Sequence, residues 1–403
     1  MPAYVEPPIP EAALNERPRV LMLVGSPAFE RVWADAAATG ADVVRLAMVD
    51  PLRGEPTAIE GLRRDAARAD TYDVFRRKPR STSALRRRVD RRRLADQLTR
   101  ATQHLQREEG PFDLVHGHFS AAGQLVSGMA RAIGVPFVIT EHSTSFSGRN
   151  ASNRASRAGL ARARRVCAEA AAVLPVSAQL QRAMEESGIR ANYTVLPNPV
   201  DTTEFRSPEQ LPPSSTIEVV SVGRLAPVKG HDLLLEAIAR IRGDRPNVRL
   251  TIVGAGPERV GLEATASALG LDDVVTFTGP LPHAEVAAQL ERSHAFVLAS
   301  HWENLSVAVL EACVVGLPAV VTQVGGIAEV EAEGLRIVPP GDLDALTDAL
   351  DDVLGHLPDL ATRQRWASAA HERFSVEAVG TRLTAIYEEV RCQRPTPRGT
   401  TRR

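Results

Sequence analysis

The sequence predicts an α/β protein made of two consecutive doubly wound domains, and three observations carry that prediction. The chain has 403 residues, more than a single ordinary core organises, since domains hold roughly 100–200 residues. Short β-branched runs alternate with helical segments along its length, the rhythm of parallel sheets covered by helices. That rhythm starts over after a polar, proline-containing stretch, SPEQLPPSST at 207–216. In such sheets ligands bind beyond the carboxyl ends of the strands, so the site is expected between the two units.

A proline-rich lead at 1–17, expected to be disordered, precedes the first unit, residues 18–205. RVLMLVGSP gives a strand at Val20–Val24 that runs into a loop at Gly25 and Ser26, followed by an alanine-rich helix through Ala38. ADVVRLAMVD at 41–50 is the next strand, ended by the turn signal Asp50-Pro51. Residues 52–110 read as helical and charged. FDLVHGHF at 112–119 and VPFVITEH at 135–142 are strands ending in polar residues, with a helix around Ala121–Ile133 between them. AAAVLPVS, ending at Ser177, and YTVLPNPVD at 193–201 continue the pattern up to a linker at 206–216.

The second unit, 217–375, repeats the grammar. EVVSVGRL at 218–225 is a strand running into a glycine, HDLLLEAIARI at 231–241 a helix, and VRLTIVGAGPE at 248–258 a strand with a glycine turn. GLEATASALG at 261–270 is a helix closed by glycine. Further strands are VVTFTG at 274–279, HAFVLAS at 294–300, PAVVT at 318–322 and RIVPP at 336–340. An amphipathic helix at 376–391 is a candidate to pack back on the first unit, and 392–403 is a polar tail.

Composition narrows the function. A hydrophobic fraction of 44% and a charged fraction of 24% are ordinary for a globular protein, while 4% aromatics argue against stacking platforms. No apolar run approaches the ~20 residues of a membrane span, and the N-terminus lacks signal-peptide order. The cytoplasm is the expected compartment. Three cysteines, Cys167, Cys313 and Cys392, are too few and too scattered for a zinc site or a disulfide framework. The net charge of −1 hides an imbalance, +8 over residues 1–200 and −9 over the rest, so the first unit favours an anionic neighbour. RRKPRSTSALRRRVDRRR at 76–93 is a candidate contact with an anionic acceptor or with the inner face of a membrane. A solvated basic helix accounts for it as well. No nucleic-acid partner is expected.

Only Lys78 and Lys229 are lysines in this arginine-rich chain, which draws attention to Gly223-Arg224-Leu225-Ala226-Pro227-Val228-Lys229-Gly230. Glycine lets a ligand approach the backbone, and the helix that follows offers unpaired N–H groups to an anion. The segment has the make-up of a diphosphate seat, with Arg224 a planar fork and Lys229 a point charge. Two surface cations on a loop are the plain alternative. A second constellation is SHWENLSVAVLEACVVGLPAVVTQVGGIAE, beginning at Ser300. Glu303 precedes an apolar helix and Glu311 lies within it, flanked by Leu310 and Ala312. Ionised carboxylates accept hydrogen bonds from vicinal hydroxyls, and a buried acid needs a partner, here a ligand hydroxyl or an arginine. Gly254-Ala255-Gly256 lacks the third glycine of a dinucleotide fingerprint, Arg259 standing in its place, so NAD binding is not expected.

Taken together, GRLAPVKGHDLLLEAI, IVGAGPE, the segment from Ser300 and VLPNPVDTTEF resemble the GT-B glycosyltransferases of family 4, most closely over 195–345. VHGHF, VITEHSTSF and AAAVLPVS carry a looser likeness in the first half. The resemblance implies two Rossmann-like domains around a cleft and a retaining, nucleotide-sugar-dependent transfer without metal or other cofactor. It implies that Arg224 and Lys229 bind the donor diphosphate, Glu311 the ribose and Glu303 the transferred sugar. Gly223 and the backbone of Asn304, Leu305 and Ser306 would lie beside the donor, and His142 would face its sugar across the cleft. Gly25 and Ser26 would form the acceptor-side loop, although the family's paired glycines are replaced there by Gly25-Ser26-Pro27. Asn304-Leu305-Ser306 departs from the family's frequent glycine-phenylalanine-glycine, which leaves the sugar open. The expected donor is a UDP-sugar or GDP-sugar and the expected acceptor a hydroxyl compound, anionic or lipid-linked. A nucleotide-sugar epimerase and a non-catalytic sugar-nucleotide-binding protein share the architecture and stand as rival readings.

Overall fold

Thirteen strands in two sheets organise the described residues of the computed structural model, which are 17–24, 29–49, 62–64, 70–75, 84–146, 157–213 and 215–393. The first sheet runs in the order β3-β4-β2-β1-β5-β6-β7. Its strands are β1 (Arg19–Val24), β2 (Asp42–Val49), β3 (Leu62–Arg64), β4 (Thr71–Phe75), β5 (Leu114–His118), β6 (Phe137–Glu141) and β7 (Ala172–Pro175). All pair in parallel except β3, which is antiparallel to β4. The central strands β5 and β6 are buried along their whole length, as expected of a sheet covered on both faces.

The helical reading of 52–110 needs correction. That stretch contains β3 and β4, and only from Ala84 does it become helix. Thr71-Tyr72-Asp73-Val74-Phe75 is β-branched and aromatic, a strand signal outweighed by the surrounding arginines. The packed helices of this unit are α1 (Phe29–Ala38), α2 (Ala84–Glu108), α3 (Gly123–Ile133), α4 (Arg157–Glu169) and α5 (Ala178–Glu186). YTVLPNPVD forms no continuous strand, only isolated bridges at Tyr193 and Val200, because Pro197 and Pro199 lack the donor a ladder needs. Residues 1–16 of the lead, Gly25, Ser26, the first part of the basic run and residues 394–403 lie outside the described residues.

The second sheet, β10-β9-β8-β11-β12-β13, is wholly parallel. Its strands are β8 (Ile217–Val222), β9 (Val248–Val253), β10 (Val275–Gly279), β11 (Ala295–Leu298), β12 (Ala319–Thr322) and β13 (Leu335–Val338). Helices α6 (His231–Asp244), α7 (Arg259–Ala268), α8 (His283–Glu291), α9 (Val307–Val314), α10 (Leu343–Gly355) and α11 (Leu360–Phe374) cover it. The strand order reverses between β8 and β11, and such a switch point opens a crevice at the strand ends. Both motifs singled out above leave the sheet there.

The chain then returns to the first sheet. Val200 N–H donates to the Phe374 carbonyl at 2.8 Å and Val376 N–H to the Val200 carbonyl at 3.1 Å. The last helix, α12 (Val376–Cys392), packs on α1. Gly380 lies where a Cβ would meet the Ala36 carbonyl at 2.3 Å, so the two helices touch backbone to backbone. One apolar core accordingly runs from the first sheet through α12 to α9, and a second fills the far side of the second sheet. Cys167 and Cys313 are buried within the first of these cores. No helix among the described residues is long and apolar enough to cross a membrane.

Candidate functional site

The loop after β8 is held in place by its neighbour. Gly223 N–H donates to the Val253 carbonyl, Leu225 N–H to the Ala255 carbonyl and Glu258 N–H to the Leu225 carbonyl, each at 3.0–3.1 Å. Gly254, at φ 141°, has the Gly223 carbonyl only 1.9 Å from where a Cβ would stand, and Gly256 has the Leu225 carbonyl at 2.0 Å. The two glycines of the incomplete fingerprint are thus explained by close approach of two backbones. A 3-10 turn, Pro227–Lys229, then delivers Lys229, and Gly230 at φ 61° enters α6 without a side-chain cap.

His301 N–H donates to the Val228 carbonyl at 2.8 Å, which brings the loop after β11 against the lysine loop. Lys229 Nζ lies 2.5 Å from Glu303 Oε1, and Ser300 Oγ donates to the same oxygen at 2.9 Å. The aliphatic stem of Lys229 passes 3.8 Å from the missing Cβ position of Gly223. Arg224 is exposed and makes no side-chain hydrogen bond or ion pair among the described residues. His231, buried just beyond the lysine, has no hydrogen bond on either ring nitrogen. Burial and the Lys229 charge bring its pKa down to about 4, so it is neutral.

Asn304, Leu305 and Ser306 lead into α9, whose N-terminus also lacks a side-chain cap. Backbone crowding shapes this turn: a Cβ on Gly325 would meet the Glu303 carbonyl at 2.2 Å. Within α9, Glu311 is buried with only 7% of its side chain exposed, and its partner is neither an arginine nor solvent. His283 Nε2 lies 3.2 Å from Glu311 Oε1, while His283 Nδ1 lies 3.0 Å from Glu204 Oε2. Of the two partners expected for Glu311, a ligand hydroxyl or an arginine, no arginine stands there among the described residues, and a histidine supplied by α8 takes that place.

Across the cleft, Asn304 Nδ2 donates to the His142 carbonyl at 2.5 Å, and Asn198 Nδ2 to the Leu305 carbonyl at 3.2 Å. Glu329 reaches from the second unit to accept from Ala178 and Gln179 N–H at 2.7 and 2.8 Å, satisfying open donors at the start of α5. His142 belongs to a stack of imidazoles. Its ring lies 5.3 Å from that of His118, which lies 5.1 Å from that of His116. His118 Nδ1 and His142 Nε2 are 3.1 Å apart, and His116 Nδ1 is 2.6 Å from the Tyr387 hydroxyl of α12. Burial pushes all three pKa values down, that of His118 to about 3.

Beneath His142 sits Glu141, fully buried, whose carboxylate accepts from Ser120, His142 and Ser143 N–H at 2.7–2.9 Å. It joins the ends of β5 and β6 and holds Phe119 at φ 66°, with the Phe119 ring against His142. Glu141, His283 and Glu204 are contributors that local pattern did not single out. The available signals were an acid ending a strand of apolar residues, a histidine opening a helix after Pro282, and the acid of VDTTEF.

The structure thus brings Lys229 and Glu303 into contact, places Gly223 beside them and Glu311 on the next helix, and sets His142 opposite through Asn304. Gly25 and Ser26 fall outside the described residues. Residues 202–373 match the family model of glycosyl transferases group 1, and residues 45–204 match that of glycosyltransferase family 4. The chain is 31% identical over 287 residues to a glycogen synthase of Mycobacterium tuberculosis, covering 68% of each. It is 30% identical over 334 residues to a D-inositol 3-phosphate glycosyltransferase of Saccharomonospora viridis, covering 75% of this chain and 77% of that one. A 32% match to a phosphatidylinositol N-acetylglucosaminyltransferase component of Arabidopsis thaliana spans 49% of the chain and 44% of that protein. Among solved structures, a sucrose-phosphate synthase of Thermosynechococcus elongatus aligns with a TM-score of 0.73 at 20% identity, over 94% of this chain and all of that one. The Anabaena HepE protein in complex with UDP and glucose aligns at 0.70 and 19%, over 92% and 99%.

Proposed function

The chain belongs to the family 4 glycosyltransferases of GT-B fold, and on that premise we propose that it moves a hexosyl or N-acetylhexosaminyl group from a UDP-sugar to an acceptor hydroxyl with retention of configuration. The observation that carries this reading is the meeting of Lys229 and Glu303 at the switch point of the second sheet. One cation and one hydroxyl-reading acid are what the junction of a diphosphate and a sugar requires.

Breaking the sugar–phosphate bond builds negative charge on the departing diphosphate and positive character on the anomeric carbon. Lys229, held by Glu303, and the uncapped N–H groups of α9 offer the phosphate the kind of preorganised charge and dipole that lowers such a barrier, and the exposed fork of Arg224 is available to grip its oxygens. With the charge supplied by these groups, the reaction requires neither metal nor cofactor. Glu303 accepts from hydroxyls of the transferred sugar, with the backbone of Asn304, Leu305 and Ser306 alongside, and Glu311 accepts from the ribose. His142, neutral and opposite Asn304, faces the sugar from the other domain. Attack comes from the face the phosphate leaves, and the acceptor proton passes to the leaving phosphate oxygen, so no carboxylate nucleophile is needed. UDP is favoured because the HepE neighbour was solved with it.

The basic surplus of the first 200 residues supports an anionic acceptor. Two relatives carry inositol phosphate or phosphatidylinositol in their names, which favours a phosphorylated cyclitol or a lipid bearing one. The test is nucleotide binding and donor turnover by the purified protein, with Glu303→Ala and Lys229→Ala alongside. Loss of turnover in both variants supports the reading. Absence of UDP and GDP binding in the native protein, or undiminished turnover in the variants, overturns it.

A further inference from the structure

His283 opens α8 with a carboxylate beside each ring nitrogen: Nδ1 hydrogen-bonds to Glu204 of the segment leading from the first sheet to the second, and Nε2 lies within ion-pair distance of Glu311 of α9. A neutral imidazole has one donor and one acceptor, whereas an ionised carboxylate only accepts. Carboxylates at 3.2 and 3.0 Å, one beside each nitrogen, therefore favour a ring protonated on both, that is, an imidazolium. The ring is fixed by Phe205, which meets it edge-on with centroids 4.9 Å apart and is itself fully buried. Glu204 is held in turn by Arg31 of α1, whose Nη2 lies 3.5 Å from the other Glu204 oxygen. Glu311 makes this one ion pair and no side-chain hydrogen bond among the described residues, so its carboxylate keeps accepting capacity for a ligand.

We propose that His283 is a positioning residue for donor binding: as an imidazolium it clamps Glu311 against Glu204 and so fixes the acid that receives the ribose, making nucleotide affinity depend on the protonation of this one ring. The proposal rests on the reading of Glu311 as the ribose acid. The charged groups facing the ring are Glu311 and Glu204, while Arg31 reaches only Glu204. The Glu311 and Glu204 contacts, outweighing partial burial, hold the His283 pKa above the ordinary imidazole value. The clamp is thus complete below pH 6.5 and is lost as pH rises through the raised value, where one carboxylate comes to face a lone pair.

The experiment measures UDP binding by calorimetry between pH 6 and 9, and thermal midpoints over the same range, for the native protein, His283→Gln and Glu204→Gln. The native protein is expected to lose affinity for UDP by about tenfold with rising pH, the size of one charge-assisted hydrogen bond. His283→Gln is expected to start about tenfold weaker and stay flat, with kcat at saturating donor close to native. Glu204→Gln, which touches no donor-reading residue, is expected to show the same flattening at smaller amplitude. The midpoint gap between native and His283→Gln should be widest near pH 6 and close as pH rises. A gap that does not change with pH overturns the imidazolium clamp. A gap that closes while UDP affinity stays level overturns its coupling to the donor. Native protein that binds neither UDP nor GDP sinks the donor reading itself, while the midpoint gap still reports on the clamp.

Discussion

Lys229 and Glu303 neutralise each other across 2.5 Å in a part-buried pocket, so removing either leaves the other as an uncompensated charge. Lys229→Ala and Glu303→Ala are each expected to lower turnover by about 10²–10³, the size seen when one preorganised electrostatic group is lost, and to lower the melting midpoint as well. The double variant should recover midpoint relative to either single change while staying inactive. A double variant no more stable than the singles would mean that the pair does not interact. Lys229→Arg is also expected to fail, because a planar fork cannot occupy the point-charge position beside Gly223. Turnover should be unaffected by EDTA, and recovery of a chelated enzyme on adding Mg²⁺ or Mn²⁺ would refute cation supply by Arg224 and Lys229. At this scale the sequence was readable wherever chemistry and neighbours coincide. The lysine stood out against a background of arginine, and Glu311 against its apolar helix. His283 was not readable, because its partners lie 79 residues before it and 28 residues after it and only tertiary packing brings them together.

At the scale of elements, the loop between β8 and α6 is fixed by glycines whose replacement has a definite cost. Gly230 has φ 61° and the Ala299 carbonyl 2.1 Å from its missing Cβ. Gly230→Ala combines an unfavourable backbone region with a backbone clash, so a loss above about 1 kcal/mol is expected, roughly 2–4 °C in midpoint for a domain of this size. Because the loop carries Lys229, the donor KM should rise with it. An unchanged midpoint would show that the loop is not clamped against the end of β11. The alternation of strand and helix that predicted two doubly wound units is a local signal, and most strands lie within a residue or two of where the pattern puts them. The short antiparallel β3 and its partner β4 escape the pattern because the β-branched and aromatic residues of β4 are embedded in an arginine-rich stretch whose polarity reads as helix, and Leu62-Arg63-Arg64 of β3 carries no strand signal of its own. Glu141 was missed for a different reason. The fully buried acid is justified by three backbone donors from two strand ends, and a strand sequence says nothing of which loops will converge on it.

Across the whole molecule, the buried imidazoles of His116 and His118 and the partly buried one of His142 link the floor of the cleft to the last helix through Tyr387. Their pKa values are lowered by burial, whereas in the unfolded chain they take up protons near pH 6.5. The stability they confer is therefore present above pH 6.5 and drains away as pH falls toward the folded-state values. Thermal midpoints should drop steeply between pH 6.5 and 4, with the drop reduced in His118→Gln, whose side chain does not titrate. A midpoint level down to pH 4 would contradict neutral burial of the stack. The paired hydrogen bonds at Val200 have a different consequence. In chain order the second unit, residues 201–374, is inserted between Val200 and the final helix, and its two ends meet at this stitch. A fragment ending near residue 205 strips the cover from α1 and leaves His116 without its phenol. The first unit thus takes its last helix from beyond the second, and any assay of acceptor binding to it requires α12 in place.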